Sequence, residues 1–145
     1  MRRNLRLDKD GKGYSRSPVT HINGKALYKV FLGPAPGMRS PYGRPLKWSL
    51  PRGTVPGKWM RRKRLELCQS GLHVCVGAAG VQHVFEDRYR WYFVRLFCVQ
   101  IKGHAIGDGE HYRHTHNKVV CNEVRLVEEI TKGSAEWKHV WGRIG

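Results

Sequence analysis

The residues whose type and spacing best suit chemistry in this chain are the cations and tryptophans between Trp48 and Arg64. Lys58 precedes an unbroken Arg61-Arg62-Lys63-Arg64 run, with Trp48 and Trp59 set among the charges. Clustered Lys and Arg neutralise phosphates and release their counterions, while an indole offers a flat face to an unpaired base. The pattern marks Trp48, Lys58, Trp59, Arg61, Arg62, Lys63 and Arg64 as candidate nucleic-acid contacts. It matches the spacing of no zinc finger, helix-turn-helix, RNP aromatic pair or KH loop. A second set of reactive types, His111, His114, His116 and Cys121 with His73-Val-Cys75, gathers metal donors. It gives neither Cys-x-x-Cys nor His-Glu-x-x-His spacing, so no metal is expected. Nucleophilic catalysis has no local signature: a Gly-x-Ser-x-Gly elbow is missing, and Cys68, Cys75 and Cys98 fall on apolar strands where burial makes thiols inert. The carboxylate pairs Glu86-Asp87 and Glu128-Glu129 read as surface charges.

The charge around these residues is unevenly distributed. The chain of 145 residues carries a formal net charge of +16. Residues 1–65 hold 17 Lys/Arg against Asp8 and Asp10, a net of +15, whereas residues 66–145 hold 10 against nine acids, a net of +1. Such asymmetry points to a polyanionic partner rather than to solubility alone. The first ten residues are basic but lack the apolar stretch of a secretory signal, and no apolar run is long enough for a membrane span. The reading is therefore a cytoplasmic protein with nucleic acid as partner and no membrane. With no export signal, the four cysteines are expected as thiols rather than as a disulfide framework.

The elements that must position these residues follow from periodicity and punctuation. Residues 1–25, polar and rich in Gly and Ser, read as a basic arm, flexible or ordered by a partner. Residues 26–145 read as one domain. Ala26–Leu32 is an apolar, aromatic run expected as a strand, followed by the Pro- and Gly-rich loop Gly33–Pro45. Leu46–Leu50 is expected as a short strand. Leu65–Cys68 and Leu72–Val76 are expected as strands hinged at Ser70-Gly71, and Ala78–Phe85 as a short helix. Arg90–Ile101 is apolar on both faces, as in a strand covered twice. In Lys118–Ile130, Val120, Val124, Leu126 and Ile130 fall on one face at period two. Ser134 is placed to cap a last helix, Ala135–Trp141, with Trp137 and Trp141 one turn apart. The sum is a strand-rich α+β domain: a central, mostly antiparallel sheet, one or two short helices, and a basic N-terminal arm.

The segment Cys68-Gln-Ser-Gly-Leu-His-Val-Cys75 gives the pattern Cys-x-x-Gly-apolar-His-x-Cys. With the strand at Tyr28–Phe31, the spacing Val94 to Gly103 and the closing strand to Ile130, it resembles a family of small proteins of unknown function common in bacteriophages and prophages. The resemblance covers roughly residues 27–130 and implies a phage context without an activity. The order of elements is also similar to that of ADP-ribosyltransferases, whose first strand supplies a residue for NAD and whose late glutamate stabilises an oxocarbenium-like transition state. That likeness implies NAD as cofactor, Lys29 (or Tyr28) and His73 at the cofactor, and Glu123 as the catalytic carboxylate.

Three function classes follow. The first is a phage-type basic protein that contacts nucleic-acid phosphates through its N-terminal half and needs no cofactor. The second is an ADP-ribosyltransferase-like enzyme using NAD. The third is a structural or host-interaction protein of a phage assembly, held to a protein partner. The sequence leaves open whether any catalysis occurs.

Overall fold

The computed structural model describes residues 3–33, 47–66, 71–88, 93–108 and 117–142. Four strands run antiparallel in a closed circuit: β4 (Lys25–Gly33), β6 (Leu72–Val76), β7 (Phe93–Gly107) and β8 (Lys118–Glu129). β7 and β8 are long and pair along most of their length, from Phe97↔Glu129 to Gly107↔Val119. Each lends its other edge to two shorter strands in succession. β7 takes β4 beside residues 93–98 and β2 (Lys12–Val19) beside residues 101–106. β8 takes β6 beside residues 118–121 and β5 (Met60–Arg61) beside residues 123–124. The circuit closes where β4 meets β6 at Leu27↔Val76 and Tyr28↔Cys75. Among the described residues this last ladder is only two pairs long, so closure rests on a short seam.

Alternation along the strands sorts side chains into two apolar clusters. Leu27 and Phe31 of β4, Leu72, Val74 and Val76 of β6, and Phe97, Val99 and Ile101 of β7 fill the barrel. Tyr28, Val30, Cys75 and Leu96 point the other way, into a second cluster with the helices. All five residues of β6 are buried, as expected for a strand covered on both faces. The helices are α1 (Gly77–Arg88), which follows β6 directly, and α2 (Ala135–Trp141). Ser134 caps α2: its backbone is extended and its hydroxyl accepts from the Trp137 amide at 3.2 Å. Trp137, Val140 and Trp141 then face the sheet, the two indoles 5.4 Å apart. Gln82 of α1 donates to the Val140 carbonyl, and the Tyr28 hydroxyl donates to Glu136 at 2.7 Å, which ties α2 to α1 and to β4.

Three sequence expectations differ from this architecture. Residues 3–22 do not stand apart as an arm. β1 (Asn4–Leu5) pairs in parallel with β3 (His21–Ile22), β3 pairs with β4, and β2 lies along β7. Leu5, Leu7, Val19 and Ile22 pack on the barrel cluster, so a few apolar side chains suffice to anchor an otherwise polar segment. Residues 47–50 form no strand. In β8 the barrel-facing set is Val119, Cys121, Val124 and Leu126, and Ile130 joins the helix-side cluster. Simple period two fails there because the β7–β8 register shifts twice, between Lys102 and Ala105 opposite Asn122, and between Cys98 and Val99, where Glu128 and Leu126 are the partners and Val127 is the extra residue. The expected Leu65–Cys68 strand and the Gly33–Pro45 loop lie largely outside the described residues.

Candidate nucleic-acid interface

The basic run is held against the outside of the barrel by one short strand and one side chain. In β5, Met60 turns inward onto the barrel cluster, which leaves Arg61 facing out. The backbone then continues along β8, with the Arg62 amide donating to the Asn122 carbonyl at 2.8 Å. The Asn122 side chain supplies three further bonds. Its Nδ2 donates to the carbonyls of Arg62 (2.9 Å) and Lys63 (3.3 Å), and its Oδ1 accepts from the His104 amide (2.8 Å). Beside it Gly103 has φ +86°, and a Cβ there would stand 3.0 Å from the Asn122 Cβ, so the bulge in β7 suits glycine. One asparagine thus joins β5, β7 and β8 and fixes where the cations emerge.

Lys58 and Arg61 to Arg64 are all exposed. Trp59 is half-buried, with Lys102 Nζ 4.4 Å and Arg125 Cζ 4.7 Å from its ring centroid. Both contacts are within cation–π range, so the indole organises charge at this surface instead of standing clear for a base. Arg125 is also fixed by donating Nε to Gln100 at 2.7 Å. Glu123, the carboxylate in this group, lies 2.7 Å from Arg61 Nε and 4.0 Å from Lys102 Nζ. The net character of the face stays cationic. Next to it a cleft of about 250 Å³ is lined by Lys12, Lys63, Leu65, His104 and Asn122 among others. The exposed Tyr14 ring of β2 stands 4.7 Å from the imidazole of His104, one of the lining residues.

The remaining candidates stand elsewhere. Trp48 is 9% exposed and packs edge-on against Phe31 at 5.4 Å in the barrel core, away from any base-stacking surface. Lys29 alternates with Leu27 and Phe31 and therefore points into the barrel. It is 2% exposed, donates Nζ to the His73 carbonyl at 2.6 Å, and lies 5.3 Å from the Trp48 ring. Burial pushes its ammonium down to about 8. His73, also buried, is pushed down to about 3 by desolvation, reinforced by the positive charges of Lys29 and Lys118. Desolvation pushes the Cys75 and Cys121 thiols up to about 12 and Cys98 up to about 11, which keeps them protonated near neutrality. Tyr28 points to the helix side, bonded to Glu136. Lys29 thus meets the backbone carbonyl of His73, whose side chain alternates with Leu72 and Val74, while Glu123 stands with Arg61 and Lys102 on the outer face.

Sequence reasoning missed Lys12, Tyr14, Lys102, His104, Asn122 and Arg125. They are isolated in sequence and meet only because β2 and β5 flank the β7–β8 pair. The available signal was Lys102-Gly-His104, where the glycine marks a bulge inside a strand rather than its end. Cys68, His111, His114 and His116 lie outside the described residues. Among the described residues no group of three His, Cys, Asp or Glu is arranged to hold a metal, and no helix is long and apolar enough to cross a membrane. Comparisons with protein-family models, curated proteins and solved structures give no match.

Proposed function

We propose that this protein binds nucleic acid through phosphate contacts made by the outer face of β5, β7 and β8. The observation that carries the reading is the convergence of exposed Arg61, Arg62, Lys63 and Arg64 with Lys102 and Arg125, which flank Trp59, beside Glu123, a carboxylate already spanned by Arg61 and Lys102. Six cations gathered on one surface suit a polyanion better than they suit one small anion. Binding of this kind weakens steeply with salt, because each neutralised phosphate releases about 0.9 of a counterion from a duplex. Changing Arg61, Arg62, Lys63 and Arg64 together to Ala is expected to cut the slope of log K against log salt by roughly 3 to 4. Unchanged retention of nucleic acid by that variant at moderate salt would sink the reading. For an NAD-using transferase, and for a role in a phage assembly, no specific observation argues.

A further inference from the structure

The cleft beside the cationic face has features that phosphate neutralisation alone does not require. One of its lining residues, His104, stacks against the exposed Tyr14 ring beside the cleft, with ring centroids 4.7 Å apart at an interplanar angle of 48°. Tyr14 is 57% exposed, an unusual degree for a large ring on a strand. It projects from β2 at a position opposite His104 in the ladder, on the same face as the exposed Lys12 and Arg16. Lys12 and Lys63 line the cleft from two sides, and Lys63 belongs to the basic run itself. At about 250 Å³ the space is smaller than the roughly 300–1,000 Å³ typical of drug-sized ligands, and it suits a single nucleoside. Asn122 shapes its wall but has both side-chain ends engaged with backbone, so it offers little for reading base edges.

We infer that the mouth of this cleft, where His104 meets Tyr14, receives one unpaired base of a single-stranded nucleic acid stacked on the Tyr14 ring, with its flanking phosphates held by Lys12 and Lys63. The inference rests on the phosphate-binding reading above and adds a preference for single strands. An exposed ring next to cations is the stacking platform that single-strand binders use, and every base has a π-face to offer it. A duplex keeps its π-faces inside the stack and can use only the cations. The two tryptophans of the basic segment do not serve this purpose: one is in the core and the other carries Lys102 and Arg125. Tyr14 and His104 take the role that sequence reading gave to Trp48 and Trp59.

The test is fluorescence anisotropy of the full chain with a labelled oligodeoxythymidylate and, separately, a labelled hairpin duplex at the same salt. Tyr14→Ala is expected to weaken single-strand binding about tenfold, equivalent to about 1.4 kcal/mol, and to change duplex binding less than twofold. Tyr14→Phe keeps the ring and is expected to retain single-strand affinity. Tyr14 is exposed, so circular dichroism and thermal unfolding of both variants should match the parent. If Tyr14→Ala weakens both ligands equally, or neither, stacking is overturned while salt-sensitive binding by the parent still upholds the phosphate reading. If the parent binds neither ligand, both fall together.

Discussion

Lys29→Met is the most informative single change in the barrel, because the cost of the buried charge can be worked out. The Lys29 ammonium is pushed down from 10.5 to about 8 chiefly by burial. Below pH 8 the native state holds that proton at a cost of about 3 kcal/mol, at about 1.4 kcal/mol per pH unit between the two values. Methionine keeps an unbranched stem of similar reach and removes the charge. Against that gain stand the bond to the His73 carbonyl, about 1 kcal/mol, and the contacts with the Trp48 and Phe31 rings at 5.3 and 5.7 Å, about 1 kcal/mol more. The variant is thus expected to be about 1 kcal/mol more stable than the parent near neutral pH.

The pH dependence is sharper than the absolute value. As pH rises above 8, native Lys29 releases its proton while the unfolded chain still holds one. The unfolded state then binds more protons, and the parent gains stability with rising pH through this group. Cys75 and Cys121, pushed from 9.0 up to about 12, act in the opposite sense above pH 9, but they do so in both proteins and cancel to first order in the difference. The advantage of Lys29→Met should therefore shrink by about 1.4 kcal/mol per unit above pH 8 and reverse near pH 9. Urea unfolding, followed by emission of the buried Trp48, Trp137 and Trp141, reads the difference directly. A difference that stays flat from about pH 7 to 9 would refute the reasoning, since it would mean that the ammonium keeps its solvation. Nucleic-acid affinity should be untouched by the same variant, because Lys29 lies inside the barrel and the cations of the interface lie outside it.

Two further changes probe the frame that carries the interface. Asn122→Ala removes the bonds to His104, Arg62 and Lys63, and is expected to cost about 2–3 kcal/mol in denaturant unfolding and to weaken oligonucleotide binding at fixed salt. Gly57→Ala places a Cβ 2.1 Å from the Ser49 carbonyl oxygen, where backbone must move. A loss above about 3 kcal/mol, read as a lowered melting temperature, is expected.

Much of the barrel was legible because its strands are long, apolar and bounded by glycine. β4, β6, β8 and both helices fall where period and punctuation put them, β7 runs on past its expected end at Ile101 to Gly107, and Ser134 caps α2 as its position suggested. Closure was not legible, because it depends on Tyr28 pairing with both Cys75 and Cys98 across stretches of chain that carry no mark of the partnership. Residues 3–22 were misread for a related reason. An outer strand needs only a thin apolar face, and in β2 the exposed Lys12, Tyr14 and Arg16 alternate with less exposed Gly13 and Ser15. Basic composition outweighed that alternation. Trp48 was misplaced because its neighbours, Lys47 and the prolines, describe the segment while the indole reaches Phe31 on a distant strand.

The charge asymmetry of the sequence also takes a different meaning in three dimensions. The charge split at residue 65 suggested polyanion contact at the front of the chain, with a basic arm at residues 1–25 ahead of one domain. In the fold the two sides of that split are interleaved: β2 and β5 come from the basic part and lie along the outer edges of β7 and β8, which come from the neutral part. Lys102 and Arg125 belong to the neutral half, yet they flank Trp59 of the basic half. Glu123, a candidate catalytic acid by sequence order, pairs with Arg61 across the same seam. Truncating the first 25 residues would therefore not free a core from its charged arm. It would expose the edge of β7 and strip Val19 and Ile22 from the barrel cluster, so the proposed phosphate contact would draw on the same strands as folding.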